Sequence, residues 1–276
     1  MDARASRSGS ASTLKRRVLT GTALIGGLLA ALYGAPDALW AVLMLVIVTA
    51  AAWEWGRLMR LTGSRRHLYT GAAALACATT LALEWQDATW VYLPAMAFWV
   101  VVAPWWLHRR LHVHNRVVLG TLGWLILLPA PLAMIRLRAE GPELLLAVLG
   151  VVVVADSAAY FAGRRYGRRK LAPVISPGKT WEGVLGAWLA VTLYALALHF
   201  LWPATCGWTC LPLTLAAFWA LFLLSVLGDL FESWMKRQAG VKDSGSLLPG
   251  HGGVLDRIDS QIAVLPAAAL FWIWMP

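Results

Sequence analysis

Charge is scarce in this sequence. Asp, Glu, Lys and Arg make up 14% of its 276 residues, while 59% of the residues are hydrophobic. An ordinary soluble domain carries about 25% charged residues. Apolar runs of about 20 residues recur along the chain, and each is long enough to cross about 30 Å of hydrocarbon. The shortage of charge therefore excludes a soluble globular protein and predicts an integral membrane protein that crosses the bilayer several times.

The sequence patterns of several large enzyme classes are also missing. No G-x-G-x-x-G opens a helix, and neither a hydrolase nucleophile elbow nor a Cys/His pairing appears. The "PGKT" that ends at Thr180 resembles the end of a nucleotide-binding P-loop, but Pro173 stands where its first glycine is required. His108, His112 and His114 lie in a basic segment without acids, which favours a solvated run beside headgroups over a metal site.

The apolar runs predict an all-α polytopic membrane fold, because backbone polar groups in lipid must pair within their own segment. Residues 1–140 are predicted to form an N-terminal membrane region of about five spans. Residues 141–276 are predicted to form a catalytic membrane domain of about four spans with two long cytoplasmic loops. The nine candidate spans are 18–34, 38–54, 68–83, 88–107, 117–135, 143–162, 183–202, 211–235 and 259–275.

The positive charges predict the orientation of these spans. Of the 24 Lys and Arg residues, only Arg136 and Arg138 fall in an odd-numbered connection. By the positive-inside rule, the N-terminus and the even-numbered connections are cytoplasmic, and nine spans place the C-terminus outside. The net charge of +10 is then juxtamembrane charge that faces anionic lipid headgroups. We expect no nucleic-acid partner.

Acidic residues at membrane depth indicate where the chemistry lies. Asp156 and Asp229 sit inside the sixth and eighth spans, where a carboxylate costs roughly 2.5–3.5 kcal/mol on insertion. Helical spacing puts Asp229 on one face with Glu232, Ser233 and Lys236. The two connections that follow these spans are long, basic and rich in Gly and Pro. Either these acids only pair with nearby cations and close the bundle, or they belong to an active site.

The composition of the two connections is typical of phosphate chemistry. Mg²⁺ prefers carboxylate oxygens together with substrate phosphates. Lys and Arg hold the remaining phosphate oxygens, and glycine lets the backbone approach a phosphate closely. Acids for a metal, cations for phosphates and the glycines of "PGHGG" predict phosphoryl or nucleotidyl transfer at the cytoplasmic face of the membrane.

The run "SWMKRQAGVKDSGSLLPGHGGVLDRID", residues 233–259, resembles the signature of the phosphatidate cytidylyltransferase (CDP-diacylglycerol synthase) family without a departure. The upstream "GDLFES" and the segment 156–183 also resemble that family. The resemblance implies that CTP and phosphatidate give CDP-diacylglycerol and pyrophosphate in phospholipid biosynthesis. It further implies Mg²⁺ dependence, with a second cation left open, and a homodimer in the bacterial inner membrane whose site faces the cytoplasm.

The resemblance also implies roles for individual residues. Metal binding is carried over to Asp229, Asp256 and, less directly, Asp259. Phosphate binding and catalysis are carried over to four cations, namely Lys236, Arg237, Lys242 and Arg257. Substrate contacts are expected from Asp156, Ser176, Lys179, Ser233, His251, Gly252 and Gly253.

Two other classes remain open from the residues alone. A CDP-alcohol phosphotransferase also binds Mg²⁺ at a membrane surface, but its D-G…A-R arrangement is not found here. A transporter would line a path with intramembrane charges, whereas these charges gather at one membrane face. Separately, Cys206 and Cys210 lie in the seventh connection, which is predicted to be outside. Disulfides persist there, but the short spacing leaves both a disulfide and two free thiols open.

The charge pattern gives a test of topology. A reporter fused after Pro276 should read as periplasmic, whereas a reporter inserted near Gly245 should read as cytoplasmic, because one span separates the two positions. If both reporters read the same compartment, an even number of crossings separates them and the predicted topology is wrong.

Overall fold

The chain is almost entirely helical. A computed structural model describes residues 20–23, 25–201, 209–248 and 252–274. Cys206 and His251 lie outside these residues; Cys210 is disulfide-bonded, and Cys77 is free and buried. The helices are α1 (Thr20–Gly34), α2 (Asp37–Leu58), α3 (Gly63–Ala82), α4 (Thr89–Ala97), α5 (Ala103–Arg109), α6 (Arg116–Leu127), α7 (Pro129–Glu140), α8 (Pro142–Tyr166), α9 (Trp181–Leu201), α10 (Leu211–Ala239), α11 (Leu255–Ile258) and α12 (Gln261–Trp274).

Six helical segments are long and apolar enough to cross a bilayer. They are Asp37–Leu58, Thr89–Arg109, Arg116–Glu140, Pro142–Tyr166, Trp181–Leu201 and Leu211–Ala239. The predicted spans at 18–34 and 259–275 correspond to shorter apolar helices, α1 and α12. The predicted span at 68–83 corresponds to α3, whose first turn carries Arg65 and Arg66. The structure thus supports a helical membrane protein, while the count of nine spans and the orientation of the termini stay predictions.

Two of the six segments are interrupted. A π-helical turn, Phe98–Val102, joins α4 to α5. Pro129 begins α7 directly after α6. Proline lacks a backbone N–H and clashes with the preceding turn, so it bends or breaks a helix. Each of these segments is therefore one span built from two pieces.

A small β-hairpin between α8 and α9 is the one departure from the all-helical prediction within the described residues. Strand β1 (Lys170–Ala172) pairs antiparallel with β2 (Ser176–Thr180), and Lys170 lies opposite Thr180. Pro173 and Pro177 prevent a helix in this connection. Because the two strands pair with each other, their backbone groups are satisfied without a helix.

Helices α8 and α9 approach closely because small residues face each other between them. A Cβ atom added at Gly183 would lie 2.9 Å from the carbonyl oxygen of Ala159, and one added at Gly186 would collide with the Cβ of Ala162. Small residues allow membrane helices to pack backbone against backbone. This contact brings the polar end of α8 beside the start of α9.

Helix α10 is fixed by an aromatic cluster on one side. The buried ring of Phe231 makes edge-on contacts with Phe98, Trp99 and Trp106 at centroid distances of 5.1, 5.6 and 5.8 Å. Edge-to-face pairs are favoured geometries for aromatic side chains. Further contacts join residues 1–140 to the rest, because α12 packs on α4 and α7. The division at 140 stays a prediction about where the chemistry lies.

The α8–α9 contact predicts opposite effects of one substitution at two helical glycines. Gly→Ala favours an isolated helix by about 1 kcal/mol, and Gly71 has no atom within 4 Å of an added Cβ. We expect Gly71→Ala to be neutral or stabilising. We expect Gly186→Ala to destabilise by about 1–3 kcal/mol, as overpacking does. Unfolding of the detergent-solubilised protein measures both, and equal effects would show that the close contact is absent.

Candidate active site

A cavity of about 490 Å³ lies between α8, α9, α10 and the β-hairpin. Four of the predicted site residues line it together, namely Asp156, Ser176, Lys179 and Asp229. The other walls are largely apolar and include Ala155, Ala159, Val184, Ala187, Phe222 and Val226. The cavity therefore combines a few convergent charges with an apolar lining, which is the usual composition of a ligand site.

An ion pair joins the hairpin to α10 in this cavity. The Nζ atom of Lys179 lies 2.5 Å from Oδ2 of Asp229, and both side chains are about one quarter exposed. The hydroxyl of Ser233 donates to Oδ1 of the same carboxylate at 3.3 Å. Asp229 thus has a positive partner within a candidate membrane span, and that partner comes from another element of the fold. Arg237 adds a second link, because its Nε donates to the carbonyl oxygen of Ile175 at the hairpin turn, 3.2 Å away.

The residues that follow Lys179 fix its position. Thr180 precedes α9, and its Oγ1 accepts a hydrogen bond from the N–H of Gly183 at 3.1 Å, as a helix N-cap residue does. The Glu182 carboxylate accepts from the N–H groups of Arg168 and Arg169 at 3.0 and 3.2 Å. The sequence "KTWEG" therefore presents a lysine to the cavity and ties both ends of the hairpin to the start of α9.

A second charged cluster lies at the C-terminal end of α10 and the start of α11. The Nζ atom of Lys236 is 2.7 Å from Oδ1 of Asp256 and also forms a short ion pair with Glu232. The Glu232 side chain is fully buried, and that of Lys236 is 12% exposed. The predicted helix face of Asp229, Glu232, Ser233 and Lys236 therefore carries two polar pairs, each four residues apart.

Asp256 also organises the eighth connection. Its carboxylate accepts from the N–H of Ser244 at 3.0 Å and from the N–H of Gly253 at 2.8 Å. Burial favours the neutral acid, but Lys236 and these N–H groups outweigh it and leave the pKa of Asp256 below its ordinary value. Gly252 has φ +83°, a conformation that glycine adopts without strain. Asp256 thus joins the start of the eighth connection, at Ser244, to its end, at Gly253.

Glu54 was not among the predicted residues, yet its carboxylate contacts both ends of the eighth connection. Glu54 belongs to α2 and is 1% exposed. Its carboxylate accepts from Ser244 Oγ at 3.0 Å, from Val254 N at 3.1 Å and from Leu255 N at 2.8 Å. The signal in the sequence is a single acid inside the apolar run "TAAAWEW". Periodicity cannot show that its partners lie about 200 residues away.

Three further predicted residues belong to the described part of the chain, namely Lys242, Arg257 and Asp259. Lys242 and Arg257 are exposed, and no ion pair is seen for either within the described part of the chain. Asp259 accepts from the N–H of Ser260 at 2.7 Å and lies close enough to Asp156 and Asp229 to interact electrostatically. The structure therefore brings the sixth and eighth connections to one end of the bundle, as the sequence predicts for residues that share substrates.

The carboxylates of the two clusters are the candidate ligands for a divalent cation. Carboxylate oxygens are the ligands that Mg²⁺ prefers, and both Asp229 and Asp256 already contact a lysine ammonium. No group of three His, Cys, Asp or Glu residues stands ready around one metal position in the described ranges. A divalent ion bound here would therefore take only one or two carboxylates from the chain and the rest of its shell from phosphate oxygens and water.

Comparison with known proteins places the chain in one family. The model of the cytidylyltransferase family matches residues 15–274. Phosphatidate cytidylyltransferase of Pseudomonas aeruginosa is 39% identical over 279 residues, which cover 94% of this chain and 97% of the relative. The protein of the same name from Haemophilus influenzae is 35% identical over 286 residues, with coverage of 95% and 99%. That of Brucella suis is 49% identical over 127 residues, which cover 46% and 44%.

Proposed function

The chain belongs to the cytidylyltransferase family, and we propose that it transfers CMP from CTP to phosphatidate, giving CDP-diacylglycerol and pyrophosphate. The relatives from Pseudomonas aeruginosa and Haemophilus influenzae align with almost the whole chain, and both are named phosphatidate cytidylyltransferase. The observation that supports it most directly is the cavity whose apolar walls end at the Lys179–Asp229 pair. Such a cavity suits a substrate with an apolar body and a phosphate head.

The reaction needs charge compensation more than a base. A phosphate oxygen of phosphatidate attacks the α-phosphorus of CTP, a new P–O bond forms, and the bond to the β-phosphate oxygen breaks as pyrophosphate leaves. The attacking phosphate monoester is already ionised, at about −1.5 to −2, so no proton has to be removed. The barrier comes from bringing two polyanions together, which preorganised cations lower.

The cations of the candidate site divide into two groups under this proposal. Lys179 and Lys236 are held by carboxylates and would exchange part of that contact for phosphate oxygens. Arg237, Lys242 and Arg257 would bind the outer phosphates, and Lys242 and Arg257 are exposed for that purpose. Ser176 lines the same cavity as Lys179 and would contact the nucleotide. Each carboxylate thus holds a cation ready before the substrates arrive.

Mg²⁺ is part of the proposal. Asp229 and Asp256 would hold the ion, with Asp259 as a further donor, and phosphate oxygens would complete its coordination. The support is the hard-oxygen donor set and its present contacts with positive groups. When bound, the ion would offset phosphate charge and orient the triphosphate.

The location and assembly state also belong to the proposal. We place the site at the cytoplasmic face of a bacterial inner membrane, because the sixth and eighth connections carry many Lys and Arg residues. Membrane lipids are then the immediate surroundings and the source of phosphatidate. The homodimer follows from the family resemblance alone.

Product analysis tests the function directly. The purified protein, in mixed micelles with phosphatidate and Mg²⁺, should move label from the α-phosphate of CTP into organic-soluble lipid and release one pyrophosphate per lipid formed. A CDP-alcohol phosphotransferase would instead consume CDP-diacylglycerol and release CMP, and a transporter would form neither product. Label that stays in the aqueous phase under these conditions would contradict the proposal.

The same assay tests the two carboxylates. Asp229→Asn and Asp256→Asn keep the shape but remove the charge, so each should lower kcat/KM by at least ~10²–10³, as the loss of one preorganised electrostatic partner does. Asp243→Asn is the control in the same connection, where the acid is exposed, and should cost much less. Near-normal rates and unchanged Mg²⁺ dependence in the Asp229→Asn and Asp256→Asn variants would contradict the proposal that these carboxylates bind the metal.

A further inference from the structure

Glu54 is a buried acid, and Arg66, the described cation that interacts with it electrostatically, makes no close ion pair with it. Its side chain comes from α2, in the predicted N-terminal region, and the described salt bridges do not include it. An ionised carboxylate that leaves water without a counter-ion is costly unless hydrogen bonds replace its hydration. The three donors from the eighth connection supply those bonds. Hydrogen bonds to an ionised acceptor are roughly twice as strong as neutral ones.

The three donors come from both ends of one segment, residues 244–255, which we name the Glu54 loop. Ser244 lies at its start, and Val254 and Leu255 lie at its end, where α11 begins. A single carboxylate therefore closes the loop by holding its two ends together. Separating the two ends would leave the buried Glu54 carboxylate without its hydrogen-bond donors, which is costly.

Two glycines of the loop are packed against the same carboxylate. A Cβ atom added at Gly245 or at Gly253 would collide with the Glu54 oxygens. Gly253 also donates its N–H to Asp256. The lack of space beside Glu54 is thus a physical reason for glycine at these two positions. It adds to the reason expected from the sequence for Gly253, namely that glycine lets a phosphate approach the backbone closely.

We propose that Glu54 is a positioning residue for the transfer reaction. It fixes the Glu54 loop so that the N–H groups of Ser244 and Gly253 face Asp256, which in turn holds Lys236. The N-terminal region thereby contributes to the geometry of a site whose chemical groups all lie after residue 141. This inference rests on the proposed function, since it assigns Glu54 a role in that reaction.

Glu54→Gln tests the proposal in the full-length protein. Glutamine has nearly the same size but replaces one acceptor oxygen with a donor, so it cannot satisfy all three hydrogen bonds. We expect kcat/KM to fall by about 10²-fold, as a displacement of about 1 Å in a supporting group can cause, mainly through kcat. We also expect faster hydrogen exchange of the amides in residues 244–255, which is a readout independent of activity. Glu54→Asp, which keeps the charge, should recover part of both losses.

Trp55→Phe is the matched control. Trp55 is the next residue of α2 and is equally buried. The substitution removes the hydrogen bond that its Nε1 donates to the carbonyl oxygen of Leu119, which does not belong to the loop. It should lower the Tm while leaving kcat, KM and loop exchange near wild type. If Glu54→Gln does not fold, Ser244→Ala removes one of the three bonds and should cost about tenfold in kcat/KM.

The results of these experiments distinguish a failure of the proposed function from a failure of the positioning role of Glu54. Wild-type protein without activity would overturn the proposed function, while faster loop exchange in Glu54→Gln would still support the closure of the loop by Glu54. Wild-type kinetics and exchange in Glu54→Gln would overturn the positioning role. So would losses of activity in Glu54→Gln and Trp55→Phe that simply follow their losses in Tm, because a general loss of stability would then explain both.

Discussion

An acid buried in the fold needs a positive partner or hydrogen-bond donors in place of water, and the candidate site is organised around that requirement. Asp229 is paired with Lys179 from the β-hairpin, and Asp256 is paired with Lys236 of α10. Removing one member of a buried pair leaves an uncompensated charge, which is strongly destabilising. Under the proposed function, the charges that a reaction between two polyanions requires would be the same charges that hold these elements together. Stability and chemistry would then depend on one set of contacts.

The rest of the fold supplies the positions of those charges. Small residues let α8 and α9 approach closely, so Asp156 and Lys179 line one cavity. The Phe231 cluster fixes one side of α10 and leaves Asp229 on the side of the cavity. Thr180 and Glu182 anchor the hairpin to α9. Arg237 then connects the hairpin turn to the end of α10, so the sixth and eighth connections are tied to each other.

The sequence predicts the charged groups better than their supports. Intramembrane acids and residues four apart on a helix are visible as patterns, and Asp229 with Ser233 and Glu232 with Lys236 form the polar pairs that this spacing allows. Lys179, by contrast, was expected at the site only from the family resemblance. Hydrophobic periodicity does not predict the hairpin, because Pro173 and Pro177 interrupt any regular pattern in that segment. Glu54 is missed for another reason, since its partners are about 200 residues away and no local rule joins them. The glycine-rich turn was predicted for its closeness to phosphate, whereas the structure also shows its packing on Glu54.

Under the proposed function, the sixth and eighth connections form one nucleotide site. Hydrogen exchange of the wild-type protein in micelles, with and without CTP and Mg²⁺, tests this shared site most directly and needs no turnover. CTP should slow exchange in both the hairpin, residues 170–180, and the eighth connection, residues 241–256, at the same CTP concentration. Protection confined to one of the two segments, or protection of the two at clearly different concentrations, would contradict a shared site.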